Sequence, residues 1–303
     1  MAKIDILLAA FNNAAYLPAQ IRSLQNQTFT DWRLLVHDDG STDDTVSVVR
    51  EFASADSRIT LIEDGVTLRS AQGNFMHLLP FSDAEFAIFC DGDDIWLDNK
   101  LAILYDTISQ RDNSRPQAVY SNSYVYNPAT GEISGSATLC IMRTLHDVLF
   151  SNAGVQGCAI LFNAKLREVC LRTPEFVAMH DHVLTMAATA FGEFTYVPLH
   201  LMLYRRYEGA VTGRTDRTLR ERFGHFFQRG KTVLDARHYR GVVAFYEANK
   251  EFLTPEQADI FRRFFRYKGR SRISNALHIL PDGFKLYGKS TVLIIKLLLR
   301  PLL

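Results

Sequence analysis

The sequence predicts an α/β protein with a mainly parallel central sheet, followed by a smaller helical region that is basic. Over the first hundred residues, short β-rich apolar runs alternate with segments of helical periodicity, which is typical of a parallel sheet covered on both faces. From residue 204 to the end there are 21 Lys and Arg against 9 Asp and Glu. The first 203 residues hold 13 against 24. We therefore expect the two regions to have different partners.

The elements are predicted in the following order. Strands are expected at residues 4–8, 32–36, 59–62 and 86–90. The first helix is indicated by the apolar stripe Leu17, Ile21 and Leu24. In the second helix, Ser41 and Thr42 are N-cap candidates. A third helix is expected at 72–79. Further along, strands are expected at 119–125 and 159–162, and helices at 166–171 and 182–191.

The last part of the chain has a helical pattern from about residue 217 onward. Its periodic apolar positions include Phe223, Phe226 and Phe227, then 242–246, then Phe261, Phe264 and Phe265. Because these aromatic residues recur at helical spacing, we expect them to form helix faces that pack on a core.

The composition bounds the class of protein. With 47% hydrophobic and 22% charged residues in 303, the chain is globular, and disordered or fibrous structure is excluded. The four cysteines are widely spaced, so we expect neither a zinc site nor a disulfide framework, and a reducing compartment fits best. The opening apolar run, interrupted by Asp5, predicts a buried strand rather than a secretory signal. No stretch reaches the roughly 18 apolar residues of a membrane span, so we expect a cytoplasmic protein.

Acidic residues follow two of the predicted strands. Asp38 and Asp39 come after the second strand, and Asp91, Asp93 and Asp94 come after the fourth. Because ligands of an open α/β sheet bind outside the carboxyl ends of its strands, we expect these carboxylates to converge. Such carboxylates repel one another unless a cation or hydrogen-bond donors hold them. Oxygen ligands suit Mg²⁺ or Mn²⁺ with substrate phosphates, and the pattern therefore predicts a nucleotide-diphosphate site. The alternative is solvated loop aspartates or helix caps.

Five motifs in order carry a resemblance to a known family. They are LAAFN at 8–12, HDDGSTD at 37–43, FCDGDDIWL at 89–97, GCAILF at 157–162 and MHDH at 179–182. In these motifs the sequence resembles glycosyltransferase family 2, nucleotide-sugar-dependent enzymes of the GT-A fold, and in particular its bacterial rhamnosyltransferase-like branch. The resemblance implies a GT-A catalytic domain over residues 1–210 and a basic helical C-terminal region over residues 211–303.

The resemblance also implies roles for individual residues. Asp39 would contact a pyrimidine base, with Phe11 and the backbone near Ala9 framing the nucleoside. Asp91 would face the ribose side, and Asp93, with Asp91, would bind the Mg²⁺ or Mn²⁺ that bridges the two phosphates. Further contacts to the nucleotide sugar are expected from Asn12, Asp38, Arg69, Asn74, Asp94 and Arg205. Contacts to the acceptor are expected from Trp96, Gly157, Cys158 and His180.

Asp181 is the expected general base. An acceptor hydroxyl must lose a proton as it attacks the anomeric carbon, and the nucleotide leaving group needs its growing charge stabilised. One carboxylate and one metal supply both needs, which implies a single displacement with inversion. For Asp181 the alternative is a helix N-terminal carboxylate stabilised by the helix dipole. For Trp96 the alternative is packing, and for Arg69 it is solvent exposure.

Two segments depart from the family pattern. Gly92 stands where relatives often carry Gln. Residues 205–210, RRYEGA, stand where relatives often carry an Arg-x-His-x-x-Asn segment. The histidine of that segment is thus missing, and Arg205 or Arg206 could bind phosphate oxygens in its place, because a guanidinium fork suits them.

The basic helical region has two open interpretations. It carries no nucleic-acid recognition motif, and nucleic acid is not an expected partner. Apolar residues at 287–299 are interleaved with Lys285, Lys289, Lys296 and Arg300. This pattern predicts an amphipathic anchor on an anionic membrane, at its cytoplasmic face. The alternative is a terminal helix docked on the catalytic domain, or on a second copy of the chain in a homodimer.

These observations predict an inverting glycosyltransferase of bacterial cell-surface polysaccharide synthesis, such as that of O-antigen or capsule. In the leading hypothesis it transfers L-rhamnose from dTDP-rhamnose to a hydroxyl of a lipid-linked oligosaccharide. A UDP-linked galactose, glucose or N-acetylhexosamine is the alternative donor. The alternative from another class is a non-catalytic carbohydrate-binding assembly subunit.

Overall fold

The computed structural model describes residues 2–138, 140–151, 155–172, 174–206 and 231–303. Its centre is a nine-stranded sheet with the strand order β3-β2-β1-β4-β8-β6-β9-β5, and β7 pairs with β6. The strands are β1 (Ile4–Ala10), β2 (Trp32–Asp38), β3 (Ile59–Ile62), β4 (Phe86–Asp91), β5 (Ile95–Trp96), β6 (Gln117–Tyr126), β7 (Ile133–Ser134), β8 (Ile160–Asn163) and β9 (Glu193–Arg205). The helices are α1 (Leu17–Gln25), α2 (Thr45–Ala55), α3 (Ala71–Leu78), α4 (Lys100–Ser109), α5 (Leu145–Val148), α6 (Ala164–Cys170), α7 (His180–Phe191), α8 (Ala236–Asn249), α9 (Pro255–Arg266), α10 (Arg272–Asp282) and α11 (Ser290–Leu299).

Strands β1 to β4 form the parallel half of the sheet. β1 pairs with β2 on one side and with β4 on the other, and all of its residues except Ala9 are buried. A strand covered on both faces needs this nearly continuous apolar sequence. The register pairs Ala9 with Asp91 and Ala10 with Asp38. The carboxyl ends of β1, β2 and β4 therefore lie side by side.

The chain reverses direction in the other half of the sheet. β8 is antiparallel to both β4 and β6, whereas β9 runs parallel to β6. The parallel ladders are longer than the antiparallel ones. The predicted α/β class with a mainly parallel sheet is therefore confirmed.

The starts of two helices differ from the prediction. The N-cap prediction for α2 is wrong, because the helix begins at Thr45 and Ser41 and Thr42 lie in the loop before it. Asp43 instead accepts hydrogen bonds from the backbone of Thr45 and the backbone of Ala14. α7 begins two residues earlier than predicted, at His180. Asp181 therefore lies in its first turn, where a carboxylate interacts favourably with the helix dipole.

The helical region (residues 231–303) shares a hydrophobic cluster with the α/β half (residues 2–206). The cluster joins Phe89 and Leu184 of the α/β half to Phe245, Phe264 and Leu293 of the helical region. The helices predicted around residues 242–246 and 261–265 are present as α8 and α9. Phe223, Phe226, Phe227 and the predicted domain boundary at residue 210 lie outside the described residues.

The last helix, α11, packs on this cluster with one face. Leu293 and Leu297 are buried, whereas Ile295, Leu298 and Leu299 are close to half exposed. The packing interpretation therefore applies to one face, and the predicted membrane anchor depends on the other. Within the described ranges, no helix has the length and apolar character needed to cross a bilayer.

Candidate active site

A cavity of about 780 Å³ opens at the carboxyl ends of β1, β2 and β4. Ligands of open α/β sheets bind at this position, and the volume is within the range of small-molecule sites. Seven of the predicted site residues line it: Ala9, Phe11, Asp39, Arg69, Asn74, Asp91 and Asp93. The wall also contains Ala10, Asn13, Gly40, Thr67, Ser70, Ala71, Phe75 and Gly92.

Asp39 holds the loop that forms one wall of the cavity. Its carboxylate accepts backbone hydrogen bonds from Leu68, from Arg69 at 2.9 Å and from Ser70 at 2.8 Å. The residue is 3% exposed. Three N–H donors satisfy most of the acceptor sites of a carboxylate. Contact between Asp39 and a nucleotide base remains a prediction, and the loop geometry is what Asp39 secures directly.

Asp38 and Asn12 lie outside the residues that line the cavity. Asp38 accepts hydrogen bonds from the backbone of Gly40 and from that of Ser41 at 2.8 Å. Asn12 adopts a left-handed backbone with a φ of 50°, and its side-chain oxygen accepts from the Thr42 N–H at 2.8 Å. Both side chains are engaged in turn geometry, and their contact with the donor stays a prediction.

Asn74 connects the ends of β1 and β2 beneath the cavity. It is buried, and its Nδ2 donates to the carbonyls of Ala10 at 3.3 Å and His37 at 3.2 Å. Its Oδ1 lies 2.6 Å from His37 Nδ1. A buried amide with these partners holds the two strand ends at a fixed distance.

Phe11 provides an aromatic surface at the mouth of the cavity. It follows directly after β1 and is 54% exposed. A planar base can stack on such a ring. The expectation that Phe11 frames a nucleoside is therefore compatible with its placement.

The acidic turn after β4 divides into two kinds of carboxylate. Asp91 and Asp93 line the cavity. Asp94 is fully buried, and its Oδ1 accepts the backbone N–H of Arg205 at 3.0 Å. Burial, with repulsion from Asp91 and Asp93, raises the pKa of Asp94 well above its usual range. Asp94 thus links the turn to β9, and contact between Asp94 and the donor stays a prediction.

Asp91 and Asp93 fit a divalent cation. Burial first, and then the charge of Asp93, raise the pKa of Asp91 to about 7. A bound cation would relieve this repulsion. Ligand atoms of Asp91, Asp94 and Cys158 also lie within 4.8 Å of one another. Burial raises the pKa of the Cys158 thiol well above its usual value, so the thiol stays protonated and is a poor ligand for Mg²⁺.

Lys100 is a residue of this site that the sequence analysis missed. It is fully buried at the start of α4, and its Nζ donates to the Cys158 carbonyl at 2.7 Å. Burial lowers its pKa to about 8, against the opposing effect of thiols and carboxylates that include Asp94 and Asp91. The ammonium therefore lies beneath the acidic turn. The available signal was a lysine on the apolar face that Leu101, Leu104 and Ile108 form.

The first turn of α7 brings Asp181 next to the acidic turn. The Asp181 charge contributes to the raised pKa of Asp91. Burial raises the pKa of Asp181 itself, and its Oδ1 is buried without a hydrogen-bond partner among the described residues. A carboxylate with a raised pKa next to the acidic turn is suited to accept a proton.

His180 is packed rather than charged. Its ring lies between Phe75, with centroids 3.9 Å apart, and Phe89, at 5.1 Å. Burial lowers its pKa to about 4, so the imidazole is neutral at pH 7. A Cβ on Gly157 would come within 2.6 Å of His180 Nε2. Gly157 therefore permits the close packing of His180 that orients α7, and both residues contribute to packing.

Trp96 and Cys158 are almost fully buried. The Lys100 ammonium lies 3.5 Å from the centre of the Trp96 ring. The packing alternative for Trp96 therefore fits this placement better than a sugar contact. Cys158 lies under the acidic turn, with its Sγ 3.5 Å from Asp94 Oδ2. Contact of either residue with an acceptor stays a prediction.

Arg205 ties β9 to the acidic turn. Its Nε donates to the Asp93 carbonyl, and its guanidinium lies 4.7 Å from the centre of the Tyr16 ring and 5.2 Å from that of Tyr126. Arg205 is largely buried. These contacts hold the turn in place, while phosphate binding by Arg205 or Arg206 remains a prediction.

Asn13 fills the space left by Gly92. A Cβ on Gly92 would lie 2.8 Å from Asn13 Oδ1, and that oxygen accepts the Phe11 N–H at 2.9 Å. A larger residue at position 92 would displace the Asn13 side chain. The departure from the family pattern at Gly92 is thus coupled sterically to Asn13, a second residue that lines the cavity. The sequence alone does not reveal this contact.

Known proteins share this fold and these motifs. The family model described as Glycosyl transferase family 2 matches residues 5–167. The GalNAc(5)-diNAcBac-PP-undecaprenol beta-1,3-glucosyltransferase of Campylobacter jejuni is 33% identical over 125 residues, which cover 41% of this chain and 39% of that protein. The dTDP-rhamnosyl transferase RfbG of Shigella flexneri is 26% identical over 224 residues, covering 68% of this chain and 73% of that protein.

Among solved structures, TarS 1-349 of S. aureus in complex with UDP-GlcNAc aligns with a TM-score of 0.57 at 16% identity. The alignment covers 92% of this chain and 75% of that chain. This likeness concerns the fold. The match to the Campylobacter jejuni protein spans less than half of that protein's length.

Proposed function

The chain belongs to glycosyltransferase family 2 and has the GT-A fold, and we propose that it is an inverting, metal-dependent hexosyltransferase. One observation carries the proposal. Asp39, Asp91 and Asp93 line a single cavity at the strand ends, and Asp181 interacts electrostatically with Asp91. This arrangement supplies a wall for a nucleoside, carboxylates for a cation and a base next to them.

The proposed reaction is a single displacement. The acceptor oxygen forms a bond to the anomeric carbon as the bond from that carbon to the nucleotide diphosphate breaks. The Asp181 carboxylate takes the hydroxyl proton, and the nucleotide diphosphate leaves with the bonding electrons. A bound Mg²⁺ or Mn²⁺ would supply charge neutralisation at the two phosphates. The raised pKa of Asp181 makes it a stronger base than an exposed carboxylate.

For the donor we propose dTDP-L-rhamnose. The support is the match to the dTDP-rhamnosyl transferase of Shigella flexneri, which covers about two thirds of this chain and more of that one. A UDP-linked hexose is the second candidate, because the Campylobacter jejuni relative is named as a glucosyltransferase. Both donors carry a pyrimidine nucleotide, and the cavity wall at Phe11 and Asp39 serves either one.

For the acceptor we propose a lipid-linked oligosaccharide of bacterial cell-surface polysaccharide synthesis. The name of the Campylobacter jejuni relative includes an undecaprenol-linked saccharide. Such an acceptor is held at a membrane, so we propose that the protein attaches peripherally to the cytoplasmic face. The basic residues of the helical region suit an anionic surface.

A thermal-shift titration with dTDP, UDP and GDP, each with and without Mn²⁺, tests the proposed site. A ligand that binds only the native state stabilises it by RT ln(1 + [L]/Kd), so the rise in Tm grows with affinity and concentration. We expect a Mn²⁺-dependent rise in Tm with dTDP that Asp93→Ala abolishes. Asp44→Ala, which removes an exposed carboxylate before α2, is the matched control. A rise in Tm with UDP alone would favour a UDP-linked donor over dTDP-rhamnose. No rise with any nucleotide would contradict the proposed nucleotide site.

A further inference from the structure

A second cavity, of about 410 Å³, lies between the start of α10 and the end of α11. None of its lining residues lines the cavity at the strand ends. Four basic residues line it, and the described lining contains no Asp or Glu: the four are Lys268, Arg270, Arg272 and Arg300. These side chains give the cavity a positive potential, which suits an anion.

The start of α10 adds to this positive potential. Ser271 caps the helix by accepting the Ser274 N–H, and the eleven-residue helix directs its positive dipole end toward the cavity. Unpaired N–H groups at a helix start bind phosphate and carboxylate groups. Arg270 and Arg272 flank this start, so a phosphate would meet both guanidinium and backbone donors.

The cavity also contains an acceptor that needs a donor. Asn275 is 3% exposed and lines the cavity. Its Nδ2 donates to the Tyr267 carbonyl at 2.9 Å, and its Oδ1 is buried without a hydrogen-bond partner among the described residues. An unpaired buried acceptor is costly. A ligand that joins a phosphate to a hydroxyl would satisfy the cations and Asn275 together.

Beside the cavity, α10 presents an apolar face to the solvent. Ile273, Leu277 and Leu280 are 67%, 71% and 67% exposed, and their spacing places them on one stripe of the helix. The opposite side of α10 buries Ala276 and Ile279 against the protein. A row of exposed aliphatic residues next to a basic cavity matches the two layers of a membrane surface, its acyl chains and its phosphate groups.

We propose that the cavity binds the headgroup of an anionic phospholipid, with the stripe of α10 inserted among the acyl chains of the bilayer. The ligand class is a phosphodiester that carries a hydroxyl, as in phosphatidylglycerol. The inference names the lipid group and the helix that would make the proposed membrane attachment. It rests on the proposed function only in that a lipid-linked acceptor places the protein at a membrane. It also moves the main membrane contact from the anchor predicted at 287–299 to α10, because Leu293 and Leu297 of α11 are buried in the core.

Co-sedimentation with vesicles tests the headgroup site. The full chain should bind vesicles of phosphatidylcholine mixed with phosphatidylglycerol and should not bind phosphatidylcholine alone. Lys268→Gln/Arg272→Gln changes two exposed residues of the lining and should weaken binding about 30-fold, at about 1 kcal/mol for each charge. Lys250→Gln/Arg262→Gln is the control, because it removes two exposed charges of the same region that do not line the cavity. Equal weakening in both variants would overturn the site.

A second pair of variants tests the apolar stripe. Ile273→Ser/Leu277→Ser should weaken vesicle binding by about ten-fold or more, since each side chain loses apolar burial. Ile133→Ser/Leu199→Ser alters two exposed aliphatic residues of the α/β half and should have no effect. Unchanged binding of the α10 variant would overturn insertion.

One further measurement distinguishes a lipid headgroup from free phosphate as the anion. A second distinguishes failure of the headgroup site from failure of the proposed glycosyltransferase function. Inorganic phosphate at constant ionic strength should release no more protein from vesicles than chloride does; stronger release would show a site for free phosphate and overturn the lipid proposal. The nucleotide thermal shift is recorded on the same preparation. Loss of the nucleotide response with vesicle binding intact would contradict the proposed function, and the reverse result would contradict the headgroup site.

Discussion

The α/β half and the helical region of this protein differ in where they place their charges. In the α/β half, polar and charged side chains such as Asp39, Asn74, Asp94 and Lys100 are almost fully buried around one cavity. In the helical region the cluster core consists of aromatic and aliphatic side chains such as Phe261 and Leu293. Burying charge is costly unless it is paired. The comparison indicates that the α/β half holds the buried polar and charged groups expected of a functional site. The core of the helical region contributes apolar packing.

The largest effect that would sharpen this comparison is on catalysis. Asp181→Asn should lower kcat by about 10² to 10⁴, because it removes the proposed general base. Affinity for the nucleotide should be unchanged, since the role proposed for Asp181 is to accept the proton of the acceptor hydroxyl. Isothermal titration with the nucleotide and a transfer assay with the sugar donor measure the two quantities. Retained turnover in this variant would favour the non-catalytic interpretation of the fold.

The pKa of Asp181 should be visible in the pH dependence of the wild-type rate and of the Tm difference between wild type and Asp181→Asn. Burial raises the pKa of Asp181, so the acid limb of the wild-type rate profile should lie above the usual carboxyl range. The raised pKa also means that ionised Asp181 destabilises the folded state. That cost is absent below the unfolded-state pKa and grows as pH rises toward the folded-state pKa. Asp181→Asn should therefore raise Tm at pH 7, and the gain should vanish in acid.

The next largest effect concerns the stability of the helical region. Phe261→Ala should lower the free energy of unfolding by about 3 to 5 kcal/mol, because it opens a cavity in the shared cluster. Phe252→Ala, at an exposed position where the ring lies 3.9 Å from the Arg172 guanidinium, should change it by about 1 kcal/mol or less. Urea unfolding should show one transition for the whole chain. Two transitions, with the α/β half unaffected by the substitution, would show that the helical region unfolds independently of the α/β half and would contradict the role of the shared cluster.

A smaller effect is expected at the nucleoside surface. Phe11→Ala should weaken nucleotide binding by about 1 to 3 kcal/mol, the value of one base stacked on an aromatic ring. Phe81→Ala is the matched control, because Phe81 is also exposed and does not line the cavity. Titration calorimetry measures both. Equal affinities in the two variants would exclude stacking on Phe11.

The smallest expected effect separates buried charge from packing in the α/β half. Lys100→Met keeps the volume of the side chain and removes the ammonium beneath Asp91 and Asp94. The pKa of Asp91 should then rise from about 7, and Mn²⁺ binding should need a higher pH by roughly 0.5 to 1 unit. Lys165→Met, at an exposed position, is the control. An unchanged pH midpoint of Mn²⁺ binding would assign Lys100 a packing role alone.

Much of the fold could be predicted because its signals are local. The apolar runs of β1 to β4 and the stripes of α1 and α9 follow the periodicities of strand and helix. The start of α2 was predicted wrongly, since several polar residues before Thr45 have nearly equal capping preferences. The turn contacts of Asp43 decided between them.

The candidate site could be predicted in part. Asp39, Asp91 and Asp93 line the cavity because strand ends of a parallel sheet meet at one edge. Asp94 follows Asp93 directly and faces the interior, where Arg205, more than a hundred residues later, donates to it. Lys100 and Asn13 were missed for the same reason, since their partners come from distant parts of the chain.

The sequence by itself determined the α/β class, the strands β1, β2, β3, β4, β6 and β8, and the set of acidic residues at the strand ends, whereas β5, β7 and β9 were not predicted. Only the tertiary structure decided which carboxylates face the cavity, that a buried lysine lies beneath them, and that α10 rather than α11 carries the most exposed apolar face. The physical reason is the range of the interactions. Periodicity and turn chemistry act within a few residues, whereas burial and pKa depend on neighbours that packing brings together.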